Sequence, residues 1–277
     1  MLKYFLILTQ FIFCLDFDYP DIEKYELDNG MTILLSPNYQ QPMIFIRFNI
    51  SAGLIDGEKN KQGIAGIIER MFQESQNYTE KEFNLAQSKA GSWHSRVYND
   101  GTTFQTKLLK EDLDLAIGLY SEMFRYPIFN KKTFRSAKAE YIDWFKISLE
   151  QWPLWTLNRA HSDHLLSGIK REDVQGLKSI SYNDVINFYE SYYQPQNISL
   201  MIVGDFNIGY MKRLLNKYFG DWNNSPNIKH QKKYHQKKSE GITVRFIENP
   251  KLTKAHITIT MPGVSPQNDD VYSLLLI

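Results

Sequence analysis

The chain has 277 residues, 43% of them hydrophobic and 23% charged, and its 32 Lys plus Arg against 31 Asp plus Glu give a net charge of +1. That length allows one large domain or two modest ones with a sizeable core, and the composition excludes a disordered, collagen-like or polytopic membrane chain. The balanced charge leaves no electrostatic footprint for nucleic acid, and the single cysteine, Cys14, excludes a disulfide framework and a cysteine-based zinc site.

Met1-Leu2-Lys3 and the apolar run from Tyr4 to Leu15 have the shape of a secretory signal peptide. The run is shorter than the roughly 20 apolar residues of a membrane span, so residues 1–15 are read as a leader and the mature chain as lacking a span. No small-x-small triplet marks a cleavage site before Asp16, and bulky Phe11-Ile12-Phe13 argue against a lipid on Cys14. A buried N-terminal strand or helix is the alternative. Export to a periplasm or the extracellular space is expected, and a cysteine-free mature chain suits an oxidising compartment.

Asp28-Asn29-Gly30, between Tyr25-Glu26-Leu27 and the run from Met31 to Leu35, predicts a hairpin. Met43 to Ile50 predicts a strand, Gly53 to Gly63 a polar loop, and Ile64 to Gln73 a helix with Ile64, Ile67, Ile68 and Met71 on one face. A helix follows over Glu80 to Lys89, then paired strands over Trp93 to Tyr98 and Thr102 to Leu108. Leu113 to Phe124 and Lys132 to Leu149 are amphipathic helices, and Pro153 opens another. Ser181, three residues before Asp184, starts a helix ending near Tyr193 in a capping-box arrangement. Asn197 to Val203 is a strand and Ile208 to Phe219 a helix.

Between Pro226 and Glu240 the chain turns polar, and the basic run from Lys229 to Lys238 reads as a solvated linker rather than a nucleic-acid arm. Strand-like runs resume at Ile242 to Ile247 and Ala255 to Met261. The closing run from Tyr272 to Ile277 is expected to be the start of a core helix, since exposed termini are usually polar. The irregular order of strands and helices predicts an α+β fold, a mostly antiparallel sheet flanked by helices. The expected organisation is a first domain over 20–225, a linker over 226–240, and the start of a second domain over 241–277.

Five segments in order resemble the first half of a pitrilysin/insulinase-family zinc peptidase, the family that includes the mitochondrial processing peptidase subunits. They are Leu27-Asp28-Asn29-Gly30-Met31; Gly53 with Gly63-x-Ala65; Gly91, Asp100, Thr102 and Phe104; Tyr193-x-Pro195-x-Asn197-x-x-Leu200-x-Ile202-Val203-Gly204-Asp205; and Phe219-Gly220-Asp221-Trp222. The resemblance runs from about residue 20 to 277. It implies zinc on an inverted His-x-x-Glu-His helix, with the glutamate as general base on metal-bound water and a glutamate of a later helix as third protein ligand.

At the motif position this chain reads Gly66-Ile67-Ile68-Glu69-Arg70. Gly66 has no side chain to ligate, Arg70 is a permanent cation, and the third position falls at Lys146, or at Ile147 with a spacing one longer. Only Glu69, the general-base position, keeps its residue type, so the family zinc is not expected to bind. Glu69 is expected to pair with Arg70 or Lys146, fixed cations standing in for the metal. His94 replaces the family's strand asparagine and is the candidate substrate-binding residue, facing the vestigial site. Asp143 or Glu150 is an alternative third ligand, and His161 and His164, three apart, a possible ligand pair elsewhere. Trp144, Trp152 and Trp155 cluster within twelve residues; Trp144 and Trp155 are read as packing residues on successive helices, the alternative being that some of the three line a peptide-binding chamber.

The resemblance therefore implies a non-catalytic homologue, an exported partner subunit of an active zinc peptidase, that helps form a chamber holding an extended peptide by strand addition. Two alternatives stand beside it. One is an active zinc metallopeptidase with relocated ligands, and the other is a stand-alone peptide-binding or scaffold protein. In some paired family members a catalytic Arg/Tyr pair comes from the second half, which here would lie beyond Ile277.

Overall fold

The computed structural model describes residues 21–58, 60–151, 174–230, 244 and 268–271. The expected leader with Cys14, the helix at Pro153, Trp152, Trp155, His161, His164, most of the basic run, the strands after residue 241 and the closing apolar run lie outside these residues.

Strands β1 (Glu23–Glu26) and β2 (Thr32–Pro37) form the first hairpin, pairing Glu23 with Leu35 through Glu26 with Thr32. Gly30 adopts φ +87°, a left-handed conformation that costs a glycine nothing. Asn29 turns its amide to the carbonyls of Phe219 (2.7 Å) and Trp222 (2.9 Å), which joins the turn to the far end of the domain.

Strand β3 (Met43–Ile50) alternates half-buried and buried residues, the period-two pattern of a strand with one face in the core. Helix α1 (Ile64–Met71) follows, then α2 (Glu80–Lys89), whose Thr79 and Glu82 form a capping box. Strands β4 (Ser92–Val97) and β5 (Thr102–Leu109) make a second hairpin. Helices α3 (Leu113–Arg125), α4 (Lys131–Gln151), α5 (Val174–Ser179) and α6 (Tyr182–Tyr192), strand β6 (Ile198–Gly204) and helix α7 (Ile208–Phe219) complete the described elements. The Ser181–Asp184 capping box forms as the spacing predicts.

The six strands form one sheet in the order β1-β2-β6-β3-β5-β4. All pairings are antiparallel except β2 with β6, so the architecture is α+β with a mostly antiparallel sheet. Phe48 of β3 stands at the centre of the core, with ring centroids 4.5 Å from Tyr120, 5.1 Å from Phe124 and 5.8 Å from Phe219. These contacts seat α3 and α7 on the sheet, and α1 and α4 pack against each other beside β4.

The segment read as a polar loop is largely buried from Ala52 to Gly57. Its backbone is satisfied by the β4–β5 turn: Leu54 N–H donates to Tyr98 O and Ile55 N–H to Asn99 O, each at 3.0 Å. Asp56 accepts from Gly53 N–H at 2.7 Å. These bonds pair backbone groups that would cost free energy if buried without a partner, so a glycine-rich sequence carrying Asp56 packs inside.

Candidate functional site

Helix α1 places the site. Its apolar residues Ile64, Ile67, Ile68 and Met71 are buried, and this leaves Glu69 and Arg70 at the margin, with side chains 17% and 20% exposed. Helix α4 crosses beside them and buries Phe134, Ala137, Tyr141, Ile142 and Phe145. Tyr141 fits against α1 because residue 66 is glycine. A Cβ on Gly66 would lie 2.6 Å from Cζ of Tyr141 and closer still to Cε2, inside any allowed carbon–carbon contact.

Arg70 curls back over its own helix. Its Nη1 donates to Glu69 Oε2 and to Gly66 O, both at 2.9 Å, and its Nε stands 3.4 Å from Glu140 Oε1 of α4. The guanidinium carbon lies 5.1 Å from the ring centroid of Tyr141 and 5.6 Å from that of Trp144. Those two rings are stacked, 5.7 Å apart and 24° from parallel. The other carboxylate oxygen of Glu69 accepts a hydrogen bond from Ser95 Oγ of β4. Burial pushes the Tyr141 hydroxyl well above the ordinary tyrosine value, with Arg70 pulling it partly back and Glu69 adding to the rise.

The sequence-predicted residues divide in two. Gly66, Glu69 and Arg70 come together on one helix, and Glu69 takes Arg70 as its cation. Lys146 does not join them: it pairs with Asp143 on the outer side of α4 at 3.0 Å, both side chains being more than half exposed. The α4 residues that reach Arg70 are Glu140, Tyr141 and Trp144, because the helical repeat brings these, and not position 146, round to α1. Nor does His94 face Glu69. Successive strand residues point to opposite faces, and since Ser95 turns to Glu69, the exposed His94 lies on the other face, opposite Gln105 in the register. Trp144 packs on Tyr141, yet 43% of it remains exposed.

The zinc site implied by the sequence motif does not fit this cluster. The first ligand position has no side chain and its space is taken by the Tyr141 ring. The second is a guanidinium, which repels a metal cation, and the general-base carboxylate is engaged by Arg70 on one oxygen and Ser95 on the other. Among the described residues no three His, Cys, Asp or Glu side chains gather closely enough to hold a metal ion, and no helix is long and apolar enough to cross a membrane.

Sequence reasoning missed Tyr141, Ser95 and Glu140. The signal for Tyr141 was present but indirect: a bulky residue on a later helix is the natural complement of a glycine where a family helix carries a large ligand.

Comparison with known proteins agrees with the fold. The model described as insulinase (peptidase family M16) matches residues 32–168, and the model described as peptidase M16 inactive domain matches residues 179–277. A probable zinc protease PqqL from Haemophilus influenzae is 27% identical over 222 residues, which are 73% of this chain and 23% of that protein. The crystal structure of a protease from Helicobacter pylori superposes with a TM-score of 0.70 at 19% identity, covering 78% of this chain and 54% of that one. The periplasmic protease PqqL from Escherichia coli superposes with a TM-score of 0.66 at 18% identity, covering 80% of this chain and 26% of that one. The chain thus spans about a quarter of the PqqL proteins it matches. With two models of one peptidase family together covering most of its length, this chain belongs to the insulinase/pitrilysin family, peptidase family M16.

Proposed function

We propose that this chain is a non-catalytic member of its family that works as the partner of a zinc-bearing relative. The observation that carries the reading is the filled metal position: the Tyr141 ring stands where a ligand side chain at residue 66 would project, and the Arg70 guanidinium holds the general-base carboxylate. Around that position the described residues keep a six-stranded sheet over a buried apolar core.

In this reading the chain contributes wall rather than chemistry to a peptide chamber. Strand β4 ends the sheet, and an extended peptide adds to such an edge through main-chain hydrogen bonds. His94, exposed on β4, would lie beside it. A first domain over 20–225, a linker over 226–240 whose Lys229 and His230 dock on Asn197, and the start of a second domain over 241–277 are part of the proposal. Export is proposed on the leader-like residues 1–15, and the similarity to the periplasmic protease PqqL of Escherichia coli supports it.

Co-expression with zinc-bearing relatives of similar length from the same genome tests the pairing. A stable complex, active only when the relative is present and chelator-sensitive through that relative alone, supports it. Peptide cleavage by the isolated chain points to relocated ligands, and a stable chain that captures no relative points to a stand-alone binding protein.

A further inference from the structure

Beyond losing a metal site, the cluster has the chemistry of a receptor for a different cation. We propose that Glu69, Glu140, Tyr141 and Trp144 form a guanidinium-binding cage in which Arg70 is the built-in ligand. Two carboxylates from different helices approach one guanidinium, Glu69 at 2.9 Å from Nη1 and Glu140 at 3.4 Å from Nε. The Gly66 carbonyl accepts a further bond at 2.9 Å. Two stacked aromatic rings pack against the same group at 5.1 and 5.6 Å.

Each partner type has a reason to select guanidinium over other cations. Carboxylates bind its planar fork through charge-assisted hydrogen bonds, and aromatic faces attract a weakly hydrated, delocalised cation more readily than a compact ammonium. Zinc would find only two carboxylates and a carbonyl, short of the nitrogen or sulfur ligands it prefers. Two walls of the cage, Glu69 and Tyr141, are held independently of the cation. Glu69 is anchored by Ser95 from β4, and Tyr141 is buried against Gly66.

In the native chain the cage is therefore closed to outside ligands, because its own arginine fills it. Removal of that side chain should leave a site that accepts a small guanidinium ion or the arginine side chain of a peptide. This inference rests on the local geometry and is independent of whether the chain pairs with a protease.

The test uses the full chain and its Arg70→Ala variant, titrated with millimolar methylguanidinium against sodium chloride of equal ionic strength. The variant's melting temperature should rise by about 2–4 °C near saturation while the native chain does not respond. Adding Glu140→Gln to the variant should weaken the response. Equal responses of native chain and variant, or none in the variant, overturn the proposal. If Arg70→Ala does not fold, nuclear magnetic resonance of the native chain decides. The Arg70 Nη–H signals should be ring-shifted and slow to exchange, because Nη1 donates to Glu69 and to the Gly66 carbonyl, and Glu69→Gln should speed their exchange. An Arg70 signal like that of an exposed arginine overturns the cage.

Discussion

The ring of Tyr141 occupies the volume into which a side chain at Gly66 would project, with Cζ 2.6 Å from the position a Cβ would take. The two residues are 75 positions apart and belong to crossing helices, so the fit is a tertiary size exchange. Gly66→Ala should therefore cost about 1–3 kcal/mol, the range for overpacking a close-packed core, although alanine is the better helix former. Combined with Tyr141→Leu it should cost less than the sum of the single changes, with a coupling of about 0.5–3 kcal/mol. Urea unfolding of the four proteins in this cycle measures it. Strict additivity would show that the two positions do not share space.

Arg70 is the charge partner of a carboxylate that has little access to water. Replacing it with methionine leaves Glu69 with only the Ser95 hydroxyl, and the expected loss is about 1–3 kcal/mol, below that of a fully buried pair because both side chains keep some solvent. Glu140, whose side chain is 65% exposed, should matter far less to stability: Glu140→Gln should cost under about 0.5 kcal/mol. Chemical denaturation of both variants checks the ranking, and a larger cost for Glu140→Gln would reverse the assigned roles.

The pH dependence of stability has an identifiable contributor in Asp184. Burial alone would raise its carboxyl, but Lys61 Nζ at 2.8 Å and the backbone and hydroxyl donors of Ser181 outweigh that and hold it below the usual aspartate value. A carboxyl depressed in the folded state adds stability above its unfolded value of about 3.9, and that stability is lost as pH falls through the depressed one. Asp184→Asn should therefore be less stable than the native chain near neutrality, and the gap should close in acid. A gap that stays constant through the acid limb would remove Asp184 as its source.

Asn197 ties the end of the described domain to its core. Its buried amide donates to Tyr192 O at 3.0 Å and Lys229 O at 2.7 Å, and its oxygen lies 3.0 Å from His230 Nδ1. Asn197→Ala leaves a buried carbonyl of Tyr192 without this donor, at a cost of about 1–3 kcal/mol. It should also speed amide exchange at Lys229, whose N–H donates to Ser191 O at 2.8 Å. Hydrogen exchange by mass spectrometry reads both effects, and unchanged protection at 229 would show that Asn197 does not anchor this segment.

The elements governed by neighbouring residues could be read from the sequence. Asn29-Gly30 marked the first hairpin, Ser181 and Asp184 marked the start of α6, and the helices expected over Glu80 to Lys89 and Ile208 to Phe219 form with those limits as α2 and α7. The loss of ligand types at 66 and 70 was equally plain, because it concerns residue identity alone. What fills the vacated space was not legible, since it depends on the rotation of α4 about its axis relative to α1. A one-turn ambiguity there exchanges Lys146 for Glu140, Tyr141 and Trp144. The same holds for His94 and Ser95, where the face each takes depends on strand register. The buried loop from Ala52 to Gly57 was hidden because its partners lie in the β4–β5 turn, more than 40 residues away.

The central claim is that the family's metal position is filled by protein. Metal analysis of the purified full chain after incubation with excess zinc and desalting tests it most directly. The account predicts no stoichiometric zinc and no chelator-sensitive hydrolysis of unstructured peptides by the isolated chain. One zinc per chain, accompanied by cleavage that a chelator abolishes, would contradict it.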